Sequence, residues 1–287
     1  MSKILYVSSF NEYIYKVSGI KLIGSFIKNN IEGDLLITLE GNYSLKKYEE
    51  CYENIRVFNL NTYDYLNNWL LENQDIIPIK YGGIFNSKHP EMDINIKLLN
   101  NYNQKASLWF RKIASLKYAI DMYKDDYDYI IWIDADTEFL TNMSTKYLIN
   151  QFKNTYCFYH LGLSRGIFTL FSIESGFIGF KKGSGYELIQ SIVDEYSNKQ
   201  FMKYARWDDG HVMGQVIINS KIDSIDVINL EIEKTLKSID RFMNPMRYGP
   251  FKKYIKHFKG IHHFKNKYDV NERDYIIIEN QLLRTNN

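Results

Sequence analysis

The sequence has little cysteine and no long apolar run, and each absence excludes a class of protein. Its two cysteines, Cys51 and Cys157, lie far apart and fall in no metal-binding or redox spacing, so a disulfide framework is not expected. No stretch approaches the roughly 20 apolar residues that span a bilayer. The N-terminus lacks the basic region, apolar run and cleavage site of a signal peptide. The sequence therefore predicts a cytoplasmic protein without a membrane anchor of its own.

The sequence also has little net charge. The 36 basic and 34 acidic residues leave a formal charge of only +2, so no global field draws the chain to nucleic acid, and we predict no nucleic-acid partner. In contrast, 45% of the residues are hydrophobic and 16% are aromatic, which is enough for a sizeable core. We therefore expect a compact globular protein.

Strand and helix patterns alternate along the chain, as in a mainly parallel sheet with helices on its faces. Apolar runs predict strands at 4–7, 35–39, 55–60, 129–133, 156–160, 177–180 and 227–230. Helical spacing predicts helices at about 14–29, 105–123, 186–197 and 209–218. Ser8, Ser9 and Asn11 predict a polar turn after the first strand, and residues 76–103 predict an irregular connection suited to a functional loop.

The chain has only four prolines and contains no Pro/Ser-rich linker or internal repeat. We therefore predict a single domain over residues 1–287. Its fold class is α/β, with a mixed, mainly parallel central sheet flanked by helices.

An acidic pair, Asp134 and Asp136, directly follows the apolar run at 129–133. The carboxyl end of a buried strand is where open α/β sheets bind ligands, whereas the second such triplet, Asp126-Tyr127-Asp128, precedes the strand. Two carboxylates held close together repel unless a divalent cation neutralises them, and oxygen ligands select Mg²⁺ or Mn²⁺. The pair therefore predicts a site for a metal-bound diphosphate, with a solvated acidic turn as the alternative.

The segment YDYIIWIDADTEFL resembles the D-x-D strand of metal-dependent glycosyltransferases with the Rossmann-like GT-A fold. The resemblance implies transfer of a hexose from a nucleotide sugar, by default UDP-linked, to a hydroxyl of a glycan, glycolipid or protein. It also implies that Arg111 or Lys112, on the preceding helix, reaches the diphosphate. A Ser-Gly turn before an acceptor-side strand matches Ser175-Gly176, and the adjacent Glu174 is a candidate catalytic residue.

The segment ARWDDGHVMGQVI resembles the W-x-D-E-S-H-L segment of the blood-group type α-1,3-galactosyl and N-acetylgalactosaminyl transferases. The match implies that Asp208 contacts the acceptor, that Asp209 takes the place of the proposed nucleophile, and that His211 matches the family's histidine. Asp209 replaces a Glu and Gly210 replaces a Ser, so the stereochemistry stays open. As a general base Asp209 would invert the anomeric centre, and facing the anomeric carbon it would support retention.

The GT-A pattern implies further ligand residues at both ends of the chain. Residues 1–140 would form the nucleotide-sugar half and residues 141–287 the acceptor half. By resemblance to glycogenin-like enzymes, His263, rather than His262, would complete the metal shell, and Lys265 would contact the diphosphate. The remaining candidates for binding the nucleotide sugar are Ser8, Ser9, Phe10, Asn11, Tyr13 and Ala135.

Several alternatives remain open at the level of sequence. The basic and aromatic stretch 251–268 could close over phosphates or make peripheral contact with an anionic membrane. A sugar nucleotidyltransferase would need a Gly-rich, Arg-containing loop after the first strand, which SSFNEY is not. A phosphatase of the haloacid dehalogenase type would need Thr or Val in place of Glu138. A glycosyltransferase-like binding protein without activity would fail to bind Mn²⁺ and nucleotide.

Overall fold

A computed structural model describes residues 2–73, 106–152, 155–161, 173–204, 206–219, 227–229, 250–258 and 272–284. The strands in these ranges are β1 (Ile4–Phe10), β2 (Asp34–Leu39), β3 (Ile55–Asn59), β4 (Tyr129–Ile133), β5 (Thr137–Phe139), β6 (Cys157–Leu161), β7 (Ile173–Lys181), β8 (Val227–Asn229) and β9 (Ile255–His257). They form a seven-stranded sheet of order β3-β2-β1-β4-β7-β6-β8 and a small sheet in which β5 pairs with β9.

Parallel pairing predominates in the large sheet. β1 is parallel to β2 and β4, β2 is parallel to β3, and β6 is parallel to β8. β7 runs antiparallel to both of its neighbours, β4 and β6. The predicted fold class, an α/β fold with a mixed, mainly parallel sheet, is therefore confirmed, and strands from both predicted halves join in one sheet.

Helices cover the sheet. Helix α1 consists of three pieces, Glu12–Ile14, the π-helical turn Tyr15–Gly19 and Ile20–Lys28. The others in the described ranges are α2 (Lys46–Cys51), α3 (Asp64–Glu72), α4 (Ala106–Tyr123), α5 (Thr145–Phe152), α6 (Ser184–Ser197), α7 (Asp209–Asn219) and α8 (Glu272–Arg284), with 3₁₀ turns at Leu60–Thr62 and Gln200–Lys203. None of these described helices is long and apolar enough to cross a membrane.

Strand β4 lies in the middle of the large sheet, and all of its residues are buried. Ile130 and Trp132 pack into a core that includes side chains of α4, α6 and α7, whereas Ile131 and Ile133 pack into a second core that includes α1 and α5. Successive strand residues face opposite sides of a sheet, so a strand covered on both faces is apolar throughout. The acidic pair follows where this apolar run ends.

Two of the predicted boundaries that lie beside the candidate site are wrong. Ser8 and Ser9 belong to β1, opposite Ile37 and Thr38 of β2, because strand pairing satisfies backbone groups whatever the side chains are. The chain turns only at Asn11, whose Oδ1 accepts a hydrogen bond from the backbone of Ile14 at 2.9 Å and caps the following helix.

The predicted Ser-Gly turn is the second error. Ser175 and Gly176 lie inside β7, which begins at Ile173 because its first residues pair with β6. Pairing with β4 then brings β7 alongside the acidic pair, and the backbone N–H of Asp134 donates to the carbonyl of Gly176 at 2.9 Å. Glu174 and Ser175 consequently reach the site from a strand.

Candidate active site

The acidic pair occupies the tight connection between β4 and β5. The backbone N–H of Thr137 donates to the carbonyl of Asp134 at 3.1 Å, and the Trp132 indole donates to Oδ1 of Asp134 at 2.6 Å. Ala135, between the two aspartates, is buried in the core. The backbone therefore fixes both carboxylates at the carboxyl end of the central strand, as the sequence predicts.

Strand β9 supplies a buried imidazole, His257, to this pair. In the small sheet His257 lies opposite Thr137, and the backbone N–H of Phe258 donates to the carbonyl of Asp136 at 2.8 Å. The Nε2 atom of His257 is 3.0 Å from Oδ1 of Asp136 and 3.7 Å from Oδ2 of Asp134. One ligand atom from each of these three residues lies within 4.8 Å of the other two.

This donor set fits a divalent cation. Two carboxylates and one imidazole suit Mn²⁺, and oxygen-rich sites also take Mg²⁺. Burial alone would lower the pKa of His257, but the nearby carboxylates, Asp136 first, outweigh burial and raise it. A proton on His257 and a divalent cation would therefore serve the same purpose, which is to neutralise the acidic pair.

Gly176 makes the close approach of these groups possible. A Cβ atom at this position would lie 2.5 Å from Cε1 of His257, closer than Cβ atoms come in proteins, and 3.1 Å from Oδ2 of Asp134, which is a tight contact. The glycine predicted as part of a turn therefore serves as the space into which the imidazole fits.

Lys112, from α4, is buried behind the acidic pair. Its Nζ lies 2.8 Å from Oδ1 of Asp134, contacts Oδ2 of Asp209, and donates to the carbonyl of Ser175 at 3.1 Å. Burial lowers the pKa of Lys112, but the charges of Asp134 and Asp209 outweigh it and raise the pKa. Lys112 is thus a permanent cation that joins Asp134 to Asp209 inside the protein.

Two buried carboxylates in different surroundings lie at the start of α7, Asp208 just before the helix and Asp209 as its first residue. Asp209 accepts a hydrogen bond from Oγ of Ser175 at 2.7 Å, and although burial raises its pKa, Lys112 leads the interactions that outweigh burial and lower it. Asp208 instead accepts from Nε of Arg206 at 2.8 Å and from the backbone of His211 at 3.3 Å. Only Asp209 is therefore joined to the acidic pair through Lys112.

Glu174 reaches the same cluster from β7. It is buried, and its Oε1 lies 4.0 Å from Nδ1 of His257, on the side of the ring away from the two aspartates. Of the three predicted catalytic residues, Glu174 thus faces the imidazole and Asp209 faces Lys112, whereas Asp208 immediately precedes helix α7 and is bonded to Arg206.

A second polar group lies at the carboxyl ends of β1 and β2. Oγ of Ser9 donates to Oε1 of Glu40 at 2.6 Å, and Nε of Arg111 lies 3.9 Å from Oε2 of Glu40. Burial raises the pKa of Glu40, and Ser9 and Arg111 only partly offset it. Arg111 and Lys112 are therefore neighbours in sequence that face different polar groups.

The other predicted nucleotide residues divide into buried and exposed side chains. Ser8 and Phe10 are buried in the strand, Asn11 caps the helix, and the Tyr13 side chain is 54% exposed. The Tyr43 hydroxyl donates to the carbonyl of Phe10 at 2.6 Å. Ser9 is thus the predicted residue of this segment that joins the polar group, and Tyr13 is free to meet a ligand.

Three predicted residues, His262, His263 and Lys265, lie outside the described residues. Sequence reasoning missed His257 and Glu40. The alternation Ile255-Lys256-His257, buried, exposed and buried, is the signal that could have identified His257 as an inward-facing residue of a short strand. Glu40 follows the apolar strand β2 in the same way that Asp134 follows β4.

No protein-family model and no curated protein matches this chain. Among solved structures, the chain is similar to the crystal structure of mouse xyloside xylosyltransferase 1 in its apo form. The TM-score is 0.45 and the sequence identity is 12%, with 80% of this chain and 85% of that chain covered. A likeness this distant leaves the function to be argued from the site itself.

Proposed function

We propose that this chain is a metal-dependent glycosyltransferase that moves a hexose from a nucleotide sugar, in the first instance a UDP-sugar, to an acceptor hydroxyl. The observation that carries the proposal is the meeting of Asp134, Asp136 and His257, with ligand atoms within 4.8 Å, at the carboxyl end of β4. That end of the sheet is where α/β folds bind ligands. A nucleoside diphosphate would extend from there toward the polar group at Ser9 and Glu40.

The metal would be held by Asp134, Asp136 and His257. When bound, Mn²⁺ or Mg²⁺ supplies positive charge that stabilises a departing diphosphate. The chain keeps its three ligands in place through the indole of Trp132, which donates to Asp134, and through the pairing of β5 with β9.

The nucleoside would occupy the ends of β1 and β2. Glu40 and Ser9 offer hydrogen-bonding groups for a ribose or base, and Tyr13 offers an exposed ring. Arg111 is the cation on this side and is our candidate for a direct contact with the diphosphate. Because Lys112 already donates to oxygens of the protein, it would act on the diphosphate through Asp134.

The acceptor, a hydroxyl of a glycan, glycolipid or protein, would approach near the start of α7. Asp209 is paired with Lys112 and Ser175, and its pKa is lowered mainly by Lys112, against the effect of burial. A carboxylate of low pKa accepts a proton poorly, which favours retention over inversion in the proposed transfer. Analysis of the anomeric configuration of the product by NMR would test this point separately.

The proposal is tested by two charge-neutralising variants of the two Asp-x-Asp triplets. Asp136→Asn removes a proposed ligand charge, whereas Asp126→Asn makes the same change at an exposed residue that precedes β4. Calorimetric titration with Mn²⁺ and a thermal-shift panel of UDP-, GDP- and dTDP-sugars, with and without Mn²⁺, measure binding. Release of nucleoside diphosphate from the donor measures turnover.

We expect wild type and Asp126→Asn to bind Mn²⁺ alike and to be stabilised by one sugar nucleotide in the presence of the metal. Asp136→Asn should lose at least about tenfold in Mn²⁺ affinity and should release no nucleoside diphosphate, because loss of a partner that merely supports a metal ligand already costs about 10–100-fold. Equal behaviour of the two variants would overturn the proposal. Release of pyrophosphate from a nucleoside triphosphate supplied together with a sugar 1-phosphate would instead identify a nucleotidyltransferase.

A further inference from the structure

Lys112 is an enclosed cation with its donors satisfied. An ammonium group has three N–H donors, and Nζ of Lys112 faces oxygens of Asp134, Asp209 and Ser175. The ring of Trp132 covers it, with Nζ 4.8 Å from the ring centroid. Such an ammonium is placed to act on its neighbours and not on a ligand in solvent.

Asp134 contacts this cation and also belongs to the metal group, the name we give to Asp134, Asp136 and His257. Its Oδ1 receives Lys112 at 2.8 Å and the indole of Trp132 at 2.6 Å, whereas its Oδ2 faces Nε2 of His257 at 3.7 Å. One oxygen is therefore anchored and the other is turned toward Asp136 and His257. A positive charge that anchors Asp134 also neutralises part of the charge that attracts a metal.

We propose that Lys112 is a positioning residue for the metal site. Lys112 holds Asp134 and Asp209 together in the metal-free protein, and its charge thereby limits the affinity of the site for a free divalent cation. The proposal rests on the proposed function, because it assumes that Asp134 is a metal ligand. Its consequence is a site whose carboxylates keep their arrangement without metal and which exchanges metal readily.

The sign of the effect separates this role from a merely structural one. Damage to the site weakens metal binding, whereas removal of a competing cation strengthens it. Lys112→Met alone leaves Asp209 buried without its counter-ion, which can unfold a protein. The informative comparison is therefore between Asp209→Asn and the double variant Lys112→Met/Asp209→Asn, in which the buried pair is removed as a whole.

Calorimetric titration with Mn²⁺ alone is the test, with folding of each variant checked by urea unfolding. We expect Asp209→Asn to bind Mn²⁺ more weakly than wild type, because Lys112 then neutralises Asp134 alone. The double variant should bind about tenfold more tightly than Asp209→Asn, since one positive charge beside the ligand is removed. Lys112→Arg, which keeps the charge, should stay near the affinity of wild type.

Two outcomes overturn the inference, and they differ from each other. If wild type binds Mn²⁺ and the double variant binds it no more tightly than Asp209→Asn, Lys112 does not limit metal affinity, and the proposed function stands. If wild type takes up no Mn²⁺ at all, the proposed metal site fails and this inference fails with it.

Discussion

The residues of the candidate site carry more negative than positive charge in a small volume. Asp134, Asp136 and Glu174 face His257, while Lys112 stands on the other side of Asp134. Repulsion between carboxylates destabilises such a cluster unless cations are present. The same carboxylates raise the pKa of His257 against the effect of burial, because they stabilise a positive charge on the imidazole.

The space left by Gly176 gives a prediction at a single residue. In Gly176→Ala, the added Cβ would lie 2.5 Å from Cε1 of His257, so the buried imidazole must move away from the two aspartates. We expect Mn²⁺ affinity to fall at least about tenfold, the range seen when the support of a metal ligand is lost. Calorimetric titration measures the change.

Gly24→Ala is the matched control for this substitution. Its added Cβ would meet Cδ1 of Leu282 at 3.3 Å, the mobile end of a side chain far along the sequence from the acidic pair. Mn²⁺ affinity should stay at the value of wild type. A Gly176→Ala protein that keeps full Mn²⁺ affinity would show that His257 does not need its present position to bind metal.

The sequence predicts the location of a site residue correctly where that residue directly follows a recognisable strand. Asp134 and Asp136 follow an apolar strand directly, so their place at its carboxyl end follows from the sequence. His257 and Gly176 reach the same point through strand pairings that join residues far apart in the chain. No local pattern states which strands pair, and that is why the third candidate ligand was missed.

At the scale of elements, the small sheet of β5 and β9 determines the geometry of the metal group. β5 follows the acidic pair, and β9 ends at His257, so the register of one short pairing sets the distance between Asp136 and His257. Two backbone hydrogen bonds flank this pairing. The N–H of Phe258 donates to the carbonyl of Asp136, and the N–H of Leu140 donates to the carbonyl of Tyr254.

Phe258→Pro tests the dependence of the site on this pairing. Proline removes the backbone N–H that donates to the carbonyl of Asp136 at 2.8 Å, and the loss of such a bond costs about 1 kcal/mol. We expect β9 to separate from the acidic pair and Mn²⁺ affinity to fall several-fold. Phe258→Ala, which removes the ring and keeps the N–H, should retain most of the affinity. Equal losses in the two variants would assign the effect to the ring.

The predicted elements were placed well in the middle and poorly at their ends, and α2, α3, α5, α8, β5 and β9 were not predicted. The apolar strand at 129–133 and the helix at 105–123 have the predicted bounds to within one residue, because burial on defined faces dictates their patterns. β1 and β7 each extend over polar residues, Ser8 and Ser9 in one and Glu174 and Ser175 in the other. Of these residues, Ser9 donates to Glu40, Ser175 donates to Asp209 and Glu174 faces His257, so side-chain polarity there reflects contacts with residues far away in the sequence.

The whole molecule joins its two predicted halves through one sheet. β4, from the first half, pairs with β7 from the second, and one core cluster contains Leu5 and Trp69 as well as Trp207 and Ile217. The metal group also draws its residues from both halves, since His257 on β9 lies in the second half and the acidic pair lies in the first. A division into independently stable halves at about residue 140 would expose both the sheet edge and this core.

We therefore expect unfolding to be one cooperative transition that Mn²⁺ moves as a whole. Circular dichroism reports the helices, and fluorescence reports tryptophans in both halves, among them Trp69 and Trp207. The two signals should give the same midpoint, and Mn²⁺ at 100 times its dissociation constant should add about 2.7 kcal/mol, a rise of about 4–5 °C in a protein of this size. At the same Mn²⁺ concentration, Asp136→Asn should unfold in one step with about half of that stabilisation or less, since its affinity is at least about tenfold lower. Two separate transitions in wild type, of which only one responds to Mn²⁺, would contradict the single domain. Ligands from both halves link the stabilities of the two halves, so that outcome would also place the metal ligands within one half.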